Sequence, residues 1–100
     1  MTFTTYIVKN EVNVGLGRCD IQLTPKRNNG IGIIIEIKNS NAKVAPSKTN
    51  LQKLADNAIR QIEKMNYVEG LEYRKCSNII LYGFAFYKKN VAISVKENKY

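Results

Sequence analysis

The sequence predicts a mixed α/β (α+β) domain in which one helix packs on one β-sheet. Three observations support this prediction. Segments rich in β-forming residues precede and follow a single segment of helical periodicity, the strand before the helix is apolar almost throughout, and 100 residues leave room for one core. The predicted order is β-β-β-α-β-β in a single domain over residues 1–100. The one long connection, from the third strand to the fourth, should make those two strands parallel.

The first two strands are predicted on either side of a glycine-containing turn. Residues 3–13 carry Tyr, Ile, Val and Thr with partial alternation, which favours a strand. The segment VGLG at 14–17 then indicates a turn or bulge. In residues 18–24, apolar and polar side chains alternate, which predicts a second strand with Asp20 on its polar face.

The third strand is predicted over residues 31–39, IGIIIEIKN, after a hairpin loop. Pro25 ends the second strand, and Asn29 with Gly30 supplies backbone that tolerates a positive φ. The nearly continuous apolar run predicts a central strand that is covered on both faces.

A helix is predicted to begin at Leu51, because apolar residues recur from there at helical spacing. Thr49 or Asn50 is the expected N-cap. The helix should end near Gly70, and an extension to about Tyr73 is left open.

Two further strands complete the prediction. Residues 77–87 are rich in β-forming residues, and residues 91–98 should pair back on them. The intervening Lys88, Lys89 and Asn90 indicate a tight turn.

The charge of the chain favours a polyanionic partner. Sixteen Lys and Arg residues against eight Asp and Glu residues give a formal net charge of +8. Nucleic acid is the first candidate and an anionic membrane surface is the second. The alternative is a solvated surface in a lysine-rich chain, since the basic residues are spread along the sequence and form no single run.

Several classes of function are excluded by residue types. The chain has no histidine, which removes His-based metal sites and catalytic triads. Its two cysteines, Cys19 and Cys76, match no metal-binding spacing. No apolar stretch approaches the roughly 20 residues of a membrane span. The N-terminus lacks the basic and apolar regions of a secretory signal, so we expect a cytoplasmic location.

Two strands carry residues that could form a catalytic site. Alternation in the third strand puts Glu36 and Lys38 on one face, and a hairpin pairing would bring Asp20 near Glu36. Two carboxylates repel one another unless a divalent cation such as Mg²⁺ lies between them. A lysine beside such an ion can orient a water molecule and stabilise developing negative charge. The alternative is an ion pair at a strand end, with Asp20 an ordinary surface residue.

Four segments in this order resemble the PD-(D/E)xK nuclease superfamily. They are GRCDIQL at 17–23, IIIEIK at 33–38, AIRQIEKMNY at 58–67 and ILYGFAFYKKNVAI at 80–93. The resemblance is to the branch found as the C-terminal domain of AAA-ATPase-like bacterial proteins, and it extends from about Tyr6 to about Val95. It implies a restriction-endonuclease-like mixed sheet.

The resemblance also implies roles for residues in the strands. Asp20 and Glu36 would bind Mg²⁺ or Mn²⁺, and Lys38 would act on the attacking water. The main-chain carbonyl of Ile37 would add a metal ligand. Glu11 matches an upstream glutamate and would lie near the metal.

On the helix, Gln61 and Tyr67 match a glutamine and a tyrosine of the same branch. The resemblance implies that Gln61 faces the active site, where it touches phosphate or orders the carboxylates. The alternatives are a solvated Gln61 and a Tyr67 half-buried in the core. Contacts to the nucleic-acid backbone are expected from the following residues: Arg18, Lys43, Lys48, Arg60, Lys64 and Tyr67.

The chain departs from the superfamily pattern at three points. Cys19 stands where the PD-(D/E)xK motif has its proline, directly before Asp20. Met65 stands where the branch tends to carry a lysine, and Lys64 precedes it by one residue. The helix that usually leads the superfamily core is absent from this sequence. We therefore expect either a larger parent protein or a second copy, as in a homodimer, to cover one sheet face.

The function expected from these features is Mg²⁺-dependent hydrolysis of phosphodiester bonds in DNA, or alternatively in RNA. A second hypothesis is a catalytically weak or inactive nucleic-acid-binding or regulatory module of the same fold. A third is a homodimeric junction-resolving nuclease.

Overall fold

The computed structural model describes residues 6–14, 17–27, 29–40, 42–65 and 76–99. Within these ranges, five strands form one mixed sheet in the order β1-β2-β3-β4-β5, and one helix packs on it. The elements are β1 (Tyr6–Val14), β2 (Gly17–Pro25), β3 (Ile31–Asn39), α1 (Lys48–Lys64), β4 (Asn78–Tyr87) and β5 (Asn90–Lys99). The predicted element order and the mixed-sheet fold class are confirmed.

The connections explain the directions of the strands. The pairs β1–β2, β2–β3 and β4–β5 are antiparallel, whereas β3 and β4 are parallel because α1 crosses over between them. The turn before β3 needs a left-handed residue, and Asn29 supplies it with a φ of 63°. The Ser77 hydroxyl donates to the Asn29 carbonyl oxygen at 2.9 Å and so ties this turn to the start of β4.

Helix α1 begins earlier than its apolar periodicity predicts. Ser47 is the N-cap, and its hydroxyl oxygen accepts a hydrogen bond from the Asn50 N–H at 3.1 Å. The expectation of Thr49 or Asn50 as N-cap is therefore wrong, since a serine at the preceding β-region position satisfies the first helical N–H groups. The last helical residue is Lys64 and the C-cap is Met65. The predicted helical extension towards Gly70 and Tyr73 lies outside the described residues.

The core lies between α1 and the face of β3 and β4 that bears Ile34 and Leu81. Two clusters of buried residues fill it. The larger contains Ile34, Ile59, Ile62, Met65, Cys76, Ile79 and Leu81, and the smaller contains Leu51, Ala55, Ala85 and Tyr87. Burial on α1 thus recurs at the helical spacing seen in the sequence, and this burial fixes the rotation of the helix on the sheet.

The second face of the sheet is not covered by a helix of the described residues. Strand β3 is central, as predicted, and Ile33, Ile35 and Ile37 on its second face are half-buried among the described residues. An apolar run marks a strand whose two faces avoid water, but it does not identify what covers them. We call this surface the open face, and it carries the following side chains: Ile33, Ile35, Ile37, Ile80, Tyr82, Phe84, Phe86, Val91, Ile93 and Val95.

No helix in the described part of the chain is both long enough and apolar enough to span a bilayer.

Candidate functional site

The pairing of β2 with β3 places two carboxylates side by side. The register sets Ile21 opposite Ile35, and one further step along it sets Asp20 opposite Glu36. The main-chain N–H of Ile37 donates a hydrogen bond to Asp20 Oδ2 at 2.7 Å. Asp20 is therefore anchored to the backbone of β3, directly beside Glu36.

Burial and the neighbouring Asp20 make Glu36 a weaker acid than an ordinary glutamate. The side chain is 5% exposed, and this burial, followed by a hydrogen bond to Asp20 and by the charge of that residue, raises the pKa of Glu36 to about 7. Lys38 opposes the shift only in part. Glu36 Oε2 is buried and accepts no hydrogen bond in the structure. The site therefore has a carboxylate oxygen positioned for a ligand that carries positive charge.

Lys38 lies on the same face of β3, one alternation beyond Glu36. Its ammonium donates a hydrogen bond to the side-chain oxygen of Gln61 on α1. The predicted approach of Gln61 to the site is thus present, but its contact is with the lysine. An amide oxygen accepts from an ammonium without neutralising it, so Gln61 restricts where the charge of Lys38 lies.

Gly83 positions the helix over the site, and it is not among the residues predicted from the sequence to act there. It pairs with Glu36 across β3 and β4. A Cβ at this position would lie 2.3 Å from the Ala55 main-chain oxygen and 3.0 Å from the Ala58 Cβ. The missing side chain lets α1 approach the sheet beside the carboxylates. A glycine in the middle of a predicted strand is the signal that could have revealed this close approach.

Comparison with known proteins agrees with this geometry. A family model described as the PD-(D/E)XK nuclease superfamily matches residues 1–96. The chain belongs to the PD-(D/E)XK nuclease superfamily. Its five-stranded mixed sheet with one helix is consistent with the restriction-endonuclease-like fold. No curated protein and no solved structure matches the chain.

Members of this superfamily typically depend on divalent metal ions, and the donor atoms present here fit such an ion. Mg²⁺ prefers oxygen ligands and is commonly held by one or two carboxylates together with water and substrate phosphates. Asp20 and Glu36 provide two carboxylates, one of which has a buried oxygen that lacks a hydrogen bond. The Ile37 carbonyl leaves the strand on the same side as the N–H that binds Asp20, so it points towards β2.

Glu11, predicted to lie near the metal, is on β1 in line with Asp20 on β2. The β1–β2 register sets Glu11 opposite Asp20, at a positive φ of 50°. Its side chain is exposed. Among the described residues, no three Asp, Glu, Cys or His side chains form a group that could hold a metal. Of the acidic residues predicted to bind metal, Asp20 and Glu36 lie side by side in the structure.

The basic residues expected to bind nucleic acid lie in different places. Arg60 and Lys64 are exposed on α1, and Lys43 is exposed in the loop before it. Lys48 lines a cavity of about 440 Å³ between the start of α1 and β5. The side chain of Arg18 and the whole of Tyr67 lie outside the described part of the chain.

Proposed function

We propose that the chain is a Mg²⁺-dependent nuclease that hydrolyses phosphodiester bonds of DNA in the cytoplasm, with RNA as the alternative substrate. One observation supports this most strongly: Asp20, Glu36 and Lys38 converge on the face of the sheet that α1 flanks. Two carboxylates and an ammonium are the groups that hold a divalent ion and a phosphate together.

In this proposal, Asp20, Glu36 and the Ile37 carbonyl would hold the metal ion. When bound, the ion would act as a Lewis acid on the phosphate and lower the pKa of a coordinated water molecule. Lys38 holds the attacking water by a hydrogen bond and stabilises the negative charge that builds up on the phosphate oxygens. The water oxygen forms a bond to phosphorus and loses a proton to solvent, the bond to the leaving oxygen breaks, and the leaving oxygen takes up a proton from solvent. Gln61 positions the Lys38 ammonium.

Cleavage of supercoiled plasmid DNA with and without Mg²⁺ or Mn²⁺ tests the proposal. Wild type should nick or linearise the plasmid only with metal, and Lys38→Ala should lower the rate by at least about 100-fold, because it removes a group that stabilises the transition state. Lys26→Ala, an exposed residue of the β2–β3 hairpin, is the control and should cut at the wild-type rate. Equal cutting by wild type and Lys38→Ala, or no metal-dependent cutting, would contradict the proposal.

Metal binding measured without cleavage separates the nuclease from an inactive module. Mn²⁺ should raise the melting temperature of wild type and leave that of Asp20→Asn unchanged. A metal-dependent shift without cleavage of plasmid or branched DNA would favour a binding or regulatory module. Cleavage confined to branched DNA would favour the junction-resolving alternative.

We also propose that a second copy of the chain covers the open face. On β3, β4 and β5, the described side chains of this face include one charged residue, Glu97, which accepts a hydrogen bond from Asn78 Nδ2 at 3.1 Å. Exposed fractions reach 49% for Ile93 and 56% for Val95. An apolar surface with so little charge suits neither nucleic acid nor water, and a second copy of the chain would remove it from water.

A further inference from the structure

Most basic side chains of helix α1 lie on a different side of the helix from its acidic side chains. The hydrogen bond from Lys38 to Gln61 identifies the side of the helix that faces the site. At about 3.6 residues per turn, Lys53, Arg60 and Lys64 fall within an arc of roughly 40°, centred about 80° around the helix from Gln61. All three side chains are exposed. We call these three cations the basic row.

The acidic residues of α1 lie on the far side of the basic row and are held there. Glu63 Oε2 lies 2.5 Å from Lys96 Nζ on β5. Hydrogen bonds from Gln52 and then from Ser94 on β5 lower the pKa of Asp56, and the Gln52 contact measures 3.1 Å. Both carboxylates are thus engaged on the side of the helix that adjoins β5. Glu63 pairs with a cation of β5, whereas the cation that acts on Asp56 is Arg60.

Arg60 is held by a neighbour that lies between it and Gln61 on the helix surface. The Arg60 Nη1 donates a hydrogen bond to Asn57 Oδ1 at 2.8 Å. The charge of Asp56 also acts on the Arg60 guanidinium, from the side of Arg60 that is opposite to Asn57. Asn57 lies about 40° around the helix from Gln61, between the basic row and the site. A guanidinium carries five N–H donors, so a single bond to Asn57 orients the group and leaves it able to bind a phosphate.

The length of the basic row matches a stretch of nucleic-acid backbone. Lys53 and Lys64 are eleven positions apart in the helix, which corresponds to about 16 Å along its axis. One strand of duplex DNA rises about 3.4 Å per nucleotide, so the row spans roughly five nucleotides. Lys48 does not belong to it, because it lines the cavity on the β5 side.

We propose that the sugar-phosphate backbone lies along the basic row as it enters or leaves the site, with phosphates bound by Lys53, Arg60 and Lys64. The inference rests on the proposed function and extends it: it adds Lys53 and gives the strand a path parallel to α1. Lysine ammonium groups reach phosphates as point charges, so this contact positions the substrate and reads no sequence.

The salt dependence of binding tests this path without any need for cleavage. Fluorescence anisotropy of a fluorescein-labelled 20-base-pair duplex is measured in EDTA at several salt concentrations. Each lost phosphate contact should reduce the slope of log K against log salt by about 0.9. Lys53→Ala alone should therefore lower the slope by about 0.9, and the triple variant Lys53→Ala/Arg60→Ala/Lys64→Ala by about 2.7.

The control removes the same charge elsewhere. Lys26→Ala/Arg27→Ala/Lys89→Ala takes three exposed cations from the tips of two hairpins and should keep the wild-type slope. If both triple variants reduce the slope equally, the basic row is not a path and only the overall charge matters, while the proposed function stands. If wild type itself does not bind the duplex in EDTA, this inference fails, whereas the proposed function is still decided by plasmid cleavage with metal.

Discussion

Glu36 is the residue whose environment departs furthest from its ordinary chemistry. It lies beside Asp20 and away from water, and its pKa is raised to about 7. In a protein without metal, a proton on Glu36 removes the repulsion between the two carboxyl groups. A bound cation would do the same while both groups remain ionised. Stability, and in the proposed function metal binding, are thereby coupled to pH at this residue.

The first prediction concerns this coupling. The folded chain holds the proton on Glu36 more tightly than the unfolded chain, whose carboxyl titrates near 4.5. The resulting stabilisation is complete below about pH 4.5 and is lost as the pH rises through about 7. In metal-free buffer, the free energy of unfolding of wild type should therefore fall between pH 5 and 8, by up to about 3 kcal/mol.

Urea unfolding across this pH range measures the effect. Glu36→Gln cannot ionise, so its unfolding free energy should lack this fall. Glu97→Gln, on the open face, should keep it. A wild-type stability that does not change from pH 5 to 8 would show that the proton is not held as described.

At the scale of elements, the site depends on how closely α1 approaches the sheet. The contact at Gly83 involves the main-chain oxygen of Ala55, which a rotamer change cannot move. Ser47 determines where helix α1 starts, and the buried residues of the helix determine its rotation on the sheet. Gln61 reaches Lys38 because all three conditions hold.

The second prediction follows from the Gly83 contact. Gly83→Ala adds a methyl group that would lie 2.3 Å from the Ala55 oxygen, so the helix must shift. Overpacking of this kind costs about 1–3 kcal/mol, and the melting temperature should fall by several degrees. Plasmid cleavage should fall as well, since the displaced helix carries Gln61 away from Lys38.

Adding Ala58→Gly separates the two contacts. That change removes the Cβ found 3.0 Å from the added methyl group but leaves the main-chain oxygen in place. The double variant should therefore remain at least as unstable as Gly83→Ala, and it also gains a glycine inside a helix. Full stability of Gly83→Ala would show that the helix does not press on β4.

At the scale of the whole molecule, the two sheet faces have different chemistry. One face bears the helix, the core and the carboxylates. The open face bears an aromatic stack in which the ring centroids of Tyr82, Phe84 and Phe86 lie 6.0 and 6.3 Å apart along β4. Val91, Ile93 and Val95 extend this surface across β5. Nucleic acid and a second copy would therefore use opposite sides of the sheet.

The third prediction tests the second copy by light scattering. Wild type should be a dimer, and Ile93→Asp should be a monomer, because two buried carboxylates would face one another or apolar partners across the interface. Val44→Asp is the matched control, since Val44 is 79% exposed in the loop before α1 and should leave the dimer intact. A monomeric wild type would contradict the proposal.

The sequence was enough for the strands and for the acidic pair. A side-chain period of two and a short hairpin place Asp20 opposite Glu36 without knowledge of any distant contact, and the structure has them adjacent. The single crossover likewise makes β3 parallel to β4. These features are local or follow from chain connectivity, so they can be predicted without knowing which elements pack together.

The tertiary structure decided what depends on contacts between elements. The partner of Gln61 depends on the rotation of α1, which the core sets, and the role of Gly83 appears only when the helix lies on the strand. The pKa of Glu36 depends on water excluded by packing. The apolar run IIIEIK at 33–38 determined a central strand with Glu36 and Lys38 on one face. Only packing decided which face is covered, because the burial of a face depends on the layer that packs against it and not on the strand alone.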